Sequence, residues 1–387
     1  MDPALFIGLM SGTSLDGVDG VLARFPGSSA SAPTPAAPLQ VLAHAHHEMP
    51  AGLRDELLAL NTPGDNELHR AALAANALVE LQAGVVAQLL RESGTAPGAV
   101  AAIGSHGQTV RHRPGEFDHT GYTLQLNNGA LLAERSGIDV VCDFRSREVA
   151  AGGQGAPLAS AFHATVFGLP DRPRAVLNLG GIGNLTLLPA QRDAGGSVRG
   201  FDSGPGNALL DHWVQRQHGL AFDEDGRWAA SGRVDAGLLA ALLSEPFLQL
   251  PPPKSTGRDL FNPTWLQARL DAGFAQLAAQ DVQATLAEFT AQAAAGALRR
   301  FGGGQTVGEL LVCGGGALNG NLMARLAAAL PGVAVRRSDE VGLPALQVEA
   351  AAFAWLARAF VQRLPGNRPE VTGAKGPRLL GALYPAH

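Results

Sequence analysis

The sequence predicts an α/β protein of two lobes, each a mixed sheet flanked by helices. Three observations carry that expectation. The chain has 387 residues, enough for about two domains at roughly 100–200 residues each. Apolar residues make up 46% of it, which supplies a large core. A plan of successive short strands followed by a helix occurs twice, each time with a glycine-rich hairpin turn: Ser11–Gly17 in the first copy and Gly180–Asn184 in the second. That echo suggests duplicated halves facing each other.

The elements follow in order. Ala4–Met10 and Val18–Phe25 are short apolar runs joined by a Gly/Ser/Thr turn, the pattern of a β-hairpin. Pro26–Pro38 is a Ser/Ala/Pro segment without periodicity, and Leu39–His44 resumes a strand pattern, so the segment reads as a hairpin tip. Leu68, Leu73, Leu78, Leu81, Val85 and Leu89 recur at helical spacing over Glu67–Arg91. Ala99–Gly104 reads as a buried strand, Asn127–Arg135 as a helix and Ile138–Cys142 as a further strand, followed by a polar loop from Asp143 to Pro157. Three strands are then predicted at Ala175–Leu179, Leu185–Leu188 and Val198–Phe201. Helices follow at Asn207–Gln217, Asp235–Leu243, Trp265–Leu270 and Ala284–Arg300. Leu310–Cys313 is a strand, Asn319–Leu330 a helix and Val348–Gln362 a last long helix. Residues 1–135 with 350–387 are expected to form the first lobe and 136–349 the second, the C-terminal helix packing back on the first.

Composition excludes several functions. The formal charge is −5 and no basic face is evident, so nucleic acid is not an expected partner. Cys142 and Cys313 sit singly in apolar strand-like runs, which predicts buried free thiols and a reducing cytoplasm. Neither a signal peptide nor a membrane span is read. Small molecules are the expected partners, and a homodimer remains open.

Three glycine-rich loops carry the functional signal. Gly12, Thr13, Ser14, Leu15, Asp16, Gly17, Val18 and Asp19 form a turn able to aim backbone N–H groups at an anion. Asp16 or Asp19 could serve Mg²⁺, which prefers carboxylate and water oxygens, with Asp16 the candidate. No Gly-Lys-Ser/Thr follows, so this is not a P-loop. The second loop offers Gly180, Gly181 and Asn184, and the third, ending a strand and opening a helix, offers Gly314, Gly315, Gly316 and Asn319. Each loop alone could be an ordinary turn; three at strand ends point to a nucleotide.

Asp202 lies at the predicted end of a strand before Ser203-Gly204-Pro205-Gly206-Asn207. Catalytic groups favour that place in open α/β sheets. A helix cap is the competing reading, but Ser203 and Asn207 can cap as well. Ser105, His106, Gln108, Thr109, Arg111, Asp143, Arg145 and Gln154 supply the hydrogen-bonding groups that a sugar requires. His44, His46 and His47 follow a strand pattern with no acid partner evident, and read as a surface cluster.

Together these residues resemble the anhydro-N-acetylmuramic acid kinase family, of the hexokinase–actin–heat-shock-chaperone ATPase superfamily. The matching stretches are Gly8–Asp19, Gly104–Thr109, Asp143–Leu158, Asn178–Asn184, Gly200–Asn207, Ser255–Asn262, Cys313–Asn319, Glu349–Ala357 and Val371–Ala374. The run Pro344–Val348 departs from the family, whose members often carry acids there.

The resemblance implies an actin/hexokinase-like (ribonuclease H-like) fold with ATP in a cleft between the lobes. It implies conversion of 1,6-anhydro-N-acetylmuramic acid, ATP and water to N-acetylmuramic acid 6-phosphate and ADP, in peptidoglycan recycling. Asp202 would be the general base, the glycine loops with Gly204 would serve the nucleotide and Mg²⁺, and Glu349 would be a substrate-side acid. Two alternatives stay open: a kinase of this fold acting on an ordinary hexose or amino sugar, and a nucleotide-gated binding module without catalysis.

Overall fold

The computed structural model describes residues 4–12, 14–26, 39–193, 195–257, 260–302 and 307–387. The chain forms two units, Met1–Val166 with Gln347–His387, and Phe167–Leu346. The first begins with strands β1 (Ala4–Met10), β2 (Gly17–Phe25) and β3 (Gln40–Glu48). Helices α1 (Ala51–Ala59) and α2 (Glu67–Ser93) follow, then β4 (Val100–Ser105). A separate two-stranded ribbon, β5 (Gln108–Pro114) and β6 (Gly121–Leu126), precedes α3 (Gly129–Ser136) and β7 (Val140–Cys142). Short helices α4 (Ser146–Ala150) and α5 (Ala159–Phe167) end this passage.

The second unit starts with the meander β8 (Arg174–Leu179), β9 (Ile182–Leu188) and β10 (Arg199–Pro205). Helices α6 (Ala208–His218), α7 (Arg227–Ser231), α8 (Ala236–Leu243), α9 (Pro263–Asp271) and α10 (Ala279–Phe301) follow. Strand β11 (Glu309–Cys313), helix α11 (Gly320–Ala329) and strand β12 (Ala334–Arg337) complete it. The chain then returns to the first unit through α12 (Val348–Val361), α13 (Pro369–Thr372) and β13 (Ala382–Tyr384).

The strand orders explain the echo in the sequence. The first sheet runs β13-β7-β4-β1-β2-β3 and the second β10-β9-β8-β11-β12. In each, an antiparallel three-strand meander is extended by two parallel strands beside its first strand. The first sheet adds only β13, antiparallel to β7.

One boundary moves. Residues 136–166 belong to the first unit, not the second as the sequence reading had it. Val140 and Val141 pair with Ile103 and Gly104 of β4, so a short strand read as a new beginning closes the first sheet. The Pro26–Pro38 tip falls, apart from Pro26, outside the described residues.

Small residues set the packing. Helix α12 lies on β1 and β4. A Cβ at Gly8 would overlap the Ala350 carbonyl, and one at Gly104 the Phe353 carbonyl. The buried face of α12 is itself alanine-rich, with Ala350, Ala351, Ala354 and Ala357. Helix and sheet therefore meet backbone to backbone at these small residues.

Helix α2 is long and apolar enough to cross a membrane by length and composition. Its Leu78, Val79, Val85, Val86 and Leu89 are instead buried in the first unit's core with β1 and β2 side chains, so no span is needed to explain it.

Candidate active site

The first loop is the β1–β2 turn, and the β2–β3 pairing fixes its far side. Thr13 lies outside the described residues. Gly8, Gly17 and Gly20 have packing reasons: a Cβ would strike α12, His46 with His47, or Val85. Gly12 has none, because the nearest atom to a Cβ there is Ser14 Oγ at 3.5 Å. Leu15 takes a left-handed φ of 56° while its side chain is buried, so the turn is held from beneath. Arg54 Nε donates to the Leu15 carbonyl at 3.0 Å. Val18 is wholly buried and offers a ligand no side chain. Asp16 is exposed, and Ser14 Oγ donates to its Oδ1 at 2.7 Å.

Asp19 corrects the reading of the histidines. Register places it opposite His46 on β3, with His44 Nε2 at 3.2 Å and His46 Nδ1 at 3.1 Å from its Oδ1. The cluster thus has an acid partner, one that alternation along β3 alone could not reveal. His47 points to the other face, where it meets Gln88 Oε1 at 2.8 Å. Asp16, without such partners, is the freer carboxylate of the two.

A buried polar chain runs through the rest of the first unit. Ser11 Oγ donates to Gln108 Oε1. The Ser11 carbonyl faces His106 Nδ1 at 3.3 Å. His106 Nε2 faces Arg145 Nε and Nη2 at 3.2 and 3.0 Å. Because guanidinium only donates, Nε2 is the acceptor and Nδ1 carries the proton. Burial, reinforced by the Arg145 charge, pushes the His106 pKa down to about 3, so the ring stays neutral. Burial also lowers Arg145 to about 10, against the opposing pull of Glu349. Glu349 lies in the first turn of α12.

Arg145 Nη1 also donates to the Gly155 carbonyl at 2.7 Å. The Gly155 amide donates to Glu148 Oε2 at 2.9 Å, and Thr372 Oγ1 and Asn367 Nδ2 donate to the other oxygen of this fully buried carboxylate. Glu148 was not singled out in the sequence. It stands among polar loop residues with nothing to mark it as the buried one.

The other predicted sugar-side residues are placed less uniformly. Ser105 is buried and accepts from Asn127 Nδ2 at 2.9 Å, and Thr109 accepts from Gln125 Nε2 at 3.2 Å. Asp143 is exposed, and accepts from the Ser146 hydroxyl at 2.5 Å at the start of α4. Gln154 is exposed, and its backbone N–H donates to the Thr372 carbonyl at 2.8 Å. Arg111 is engaged by Glu67 and the Leu60 carbonyl, a structural tie between β5 and the helices.

In the second unit the acid is inside the strand. Asp202 is within β10, opposite Asn184 of β9, and not at a strand end. It caps no helix: Asn207 is the N-cap position of α6 and makes no side-chain cap. Asn184 Nδ2 donates to Asp202 Oδ1 at 2.9 Å and the Thr256 amide to Oδ2 at 2.8 Å. Burial raises its pKa, while Asn184, Thr256 and the Lys254 charge each pull it down. Lys254 and Thr256 went unassigned in the sequence, although they adjoin or lie in the stretch Ser255–Asn262 that carries the resemblance.

The two remaining loops have mixed duties. The Gly180 and Gly181 carbonyls accept from the Asn207 and Ala208 amides at 2.8 and 3.1 Å, which uses the turn to seat the start of α6. A Cβ at Gly180 would meet nothing nearer than 4.0 Å. Gly204 is buried at φ 143°. A Cβ at Gly314 would overlap Asn178 Oδ1, and one at Gly316 Leu179 Cβ; Gly315 is exposed, with 3.6 Å to its nearest neighbour. Asn319 Oδ1 accepts from the Leu322 amide at 2.9 Å, capping α11. Asp225 Oδ1 accepts from the Gly320 amide at 2.9 Å, a second side-chain acceptor at that helix start, which the sequence did not mark.

Comparison with known proteins bears on this arrangement. Residues 4–386 match the family model described as anhydro-N-acetylmuramic acid kinase. The chain belongs to this family. The anhydro-N-acetylmuramic acid kinase of Variovorax paradoxus (strain S110) is 61% identical over 384 residues, covering 99% of each chain. That of Ralstonia nicotianae is 57% identical, covering 98% of this chain and 97% of its own. Among solved structures, a ROK family glucokinase from Streptomyces griseus in complex with glucose and AMPPNP is 15% identical, with a TM-score of 0.40 over 92% of this chain and 99% of that one.

Proposed function

We propose that this chain is a kinase that uses ATP and water to turn 1,6-anhydro-N-acetylmuramic acid into N-acetylmuramic acid 6-phosphate and ADP, in cytoplasmic recycling of cell-wall fragments. Family membership over nearly the whole chain supports the reaction class. The observation that carries the chemistry is Asp202. Its carboxylate is fixed from two sides by neutral donors, which orient it and leave further lone pairs for a proton.

In this reading Asp202 takes a proton from water as the oxygen attacks the anomeric carbon. The bond from that carbon to O6 breaks, and O6 accepts the γ-phosphoryl group of ATP as ADP departs. Most of the remaining work is positioning and charge stabilisation. Arg145, fixed by His106 and Gly155, is assigned to the sugar, with Ser105, His106, Gln108, Thr109, Asp143, Gln154 and Glu349 on the same side.

The residues present fit a nucleotide. A Cβ at Gly12, Gly180 or Gly315 would meet nothing nearer than 3.5 Å, so no steric clash requires glycine at these three positions, and phosphate or ribose oxygens can approach the backbone closely. Gly314 and Gly316 shape the third loop by close packing. Asp16 is assigned to Mg²⁺ as a single carboxylate. Among the described residues no group of three or more His, Cys, Asp or Glu is gathered for a metal, which suits an ion that keeps waters and takes phosphate oxygens.

The test is a coupled ADP-release assay with the anhydrosugar and with open amino sugars. Turnover of the open sugars alone would remove the anhydrosugar from the reading. Asp202→Asn is expected to bind ATP almost normally and to lose about 10²-fold or more in kcat; near-normal turnover would take Asp202 out of the mechanism.

A further inference from the structure

Glu148 is a wholly buried carboxylate to which the reaction gives no task. Burying such a group is costly unless its oxygens are hydrogen-bonded. Its partners here are neutral donors. The Gly155 amide donates to Oε2 at 2.9 Å, while Asn367 Nδ2, at 3.2 Å, and Thr372 Oγ1 donate to Oε1. Asn367 and Thr372 are themselves buried. The donors come from two places far apart in the chain: the loop that follows α4, and the segment around α13.

Joining these two places does not require a carboxylate. The Gln154 backbone N–H donates to the Thr372 carbonyl at 2.8 Å, and that of Lys375 to the Ala151 carbonyl at 3.0 Å. What Glu148 adds is a grip on Gly155. That residue stands at a left-handed φ of 70°, and a Cβ there would crowd Val149 Cγ2 at 2.9 Å. Glycine is the residue freest to turn, yet both peptide groups of Gly155 are held. Glu148 takes its N–H, and Arg145 Nη1 donates to its carbonyl at 2.7 Å. The Glu148 amide in turn donates to the Arg145 carbonyl at 3.1 Å. Carboxylate, glycine and guanidinium thus form a closed ring of contacts. The other two nitrogens of the guanidinium face His106.

We propose that Glu148 is a positioning residue for Arg145: by fixing Gly155 it sets where the guanidinium stands, and through Asn367 and Thr372 it makes that setting depend on the C-terminal segment. The proposal rests on the reading of Arg145 as a sugar-side residue. Glu148→Met keeps a side chain of similar length and removes both acceptor oxygens. Gly155 then loses the partner of its N–H and turns more freely, and Arg145 loses a fixed acceptor. The loss must appear in the handling of the sugar, and it must vanish once Arg145 is itself altered.

The experiment is a double-mutant cycle on the full chain, Glu148→Met with Arg145→Lys, read as steady-state kinetics with ATP and the anhydrosugar. Glu148→Met alone is expected to raise KM for the sugar and to lower kcat/KM for it about tenfold, with KM for ATP within about twofold of the parent. In the Arg145→Lys background the same change is expected to cost less than about twofold, because the two residues act as one unit. Additive losses overturn the proposal, and so does a fall in kcat with an unmoved sugar KM, which is what a merely structural role predicts. If Glu148→Met melts below the assay temperature, Glu148→Gln is read by the same criteria. The outcomes also separate the two ideas. An impaired Arg145→Lys with a parent-like or additive Glu148→Met removes only the role of Glu148. A parent-like Arg145→Lys removes the sugar-side reading of Arg145, and a parent chain that turns over no anhydrosugar removes the reaction itself.

Discussion

His106, His112 and His163 are neutral in the folded chain for one shared reason. Burial leads the causes that lower His106 and His163 to about 3 and His112 to about 4. The unfolded chain binds protons at these rings below about pH 6.5, whereas the folded chain does not until pH 3–4. Stability from these groups is thus full above pH 6.5 and is lost as pH falls from 6.5 toward 3–4. Melting temperature should decline across that window, and a flat profile from pH 7 to 4 would contradict it. Arg145 is the partner on which the His106 tautomer depends. Arg145→Lys retains charge but loses the two-nitrogen grip on His106 and the reach to Gly155. It is expected to lower kcat/KM for the sugar about tenfold or more, at about 1.5–3 kcal/mol for a charge-assisted bond. At this scale the sequence was legible in residue type and blind in partnership. Arg145 and His106 were marked as sugar-side groups, but nothing in the chain order pairs Asp19 with His44 and His46, or places Lys254 among phenylalanines 7 to 53 residues away.

At the scale of elements, glycine divides into two kinds that the sequence cannot distinguish. Gly8 and Gly104 let α12 rest on β1 and β4, and Gly104→Ala forces a Cβ into the Phe353 carbonyl. Overpacking of this sort costs about 1–3 kcal/mol or more, so Gly104→Ala should lower the melting temperature by several degrees. Gly12→Ala adds the same methyl group where it meets only ordinary contacts, the nearest being Ser14 Oγ at 3.5 Å. It should melt near the parent temperature while raising KM for ATP, and the reverse pattern would reverse the assignment of the two glycines. Strand and helix cores were readable because their apolar periods are strong: β1 is found where expected and α2 within two residues of its predicted end. The β5–β6 ribbon was missed because its polar, half-exposed strands alternate weakly. Strand β10 runs four residues past its predicted end, since Asp202 and Gly204 do not look like strand residues. A charged group that breaks the local preference of its element is what a functional position should look like.

For the whole molecule, the duplicated plan was visible as repeated strands and glycine turns, and the common strand order accounts for it. The misplaced boundary at 135 has a physical cause. A three-residue strand carries little information about its partner, and β7 is assigned only by pairing with β4 and β13, one of them about 240 residues away.

That distant pairing governs how the chain can be made. Residues 167–346 are contiguous and can fold as soon as they clear the ribosome. The first unit cannot, because α12 and β13, which cover and close its sheet, are synthesised last. The faces of β1 and β4 around Gly8 and Gly104 stay uncovered through most of translation, and the unit begun first is the unit finished last. A released chain truncated after residue 346 should therefore show a protease-resistant segment within 167–346, with the N-terminal 166 residues still open to cleavage.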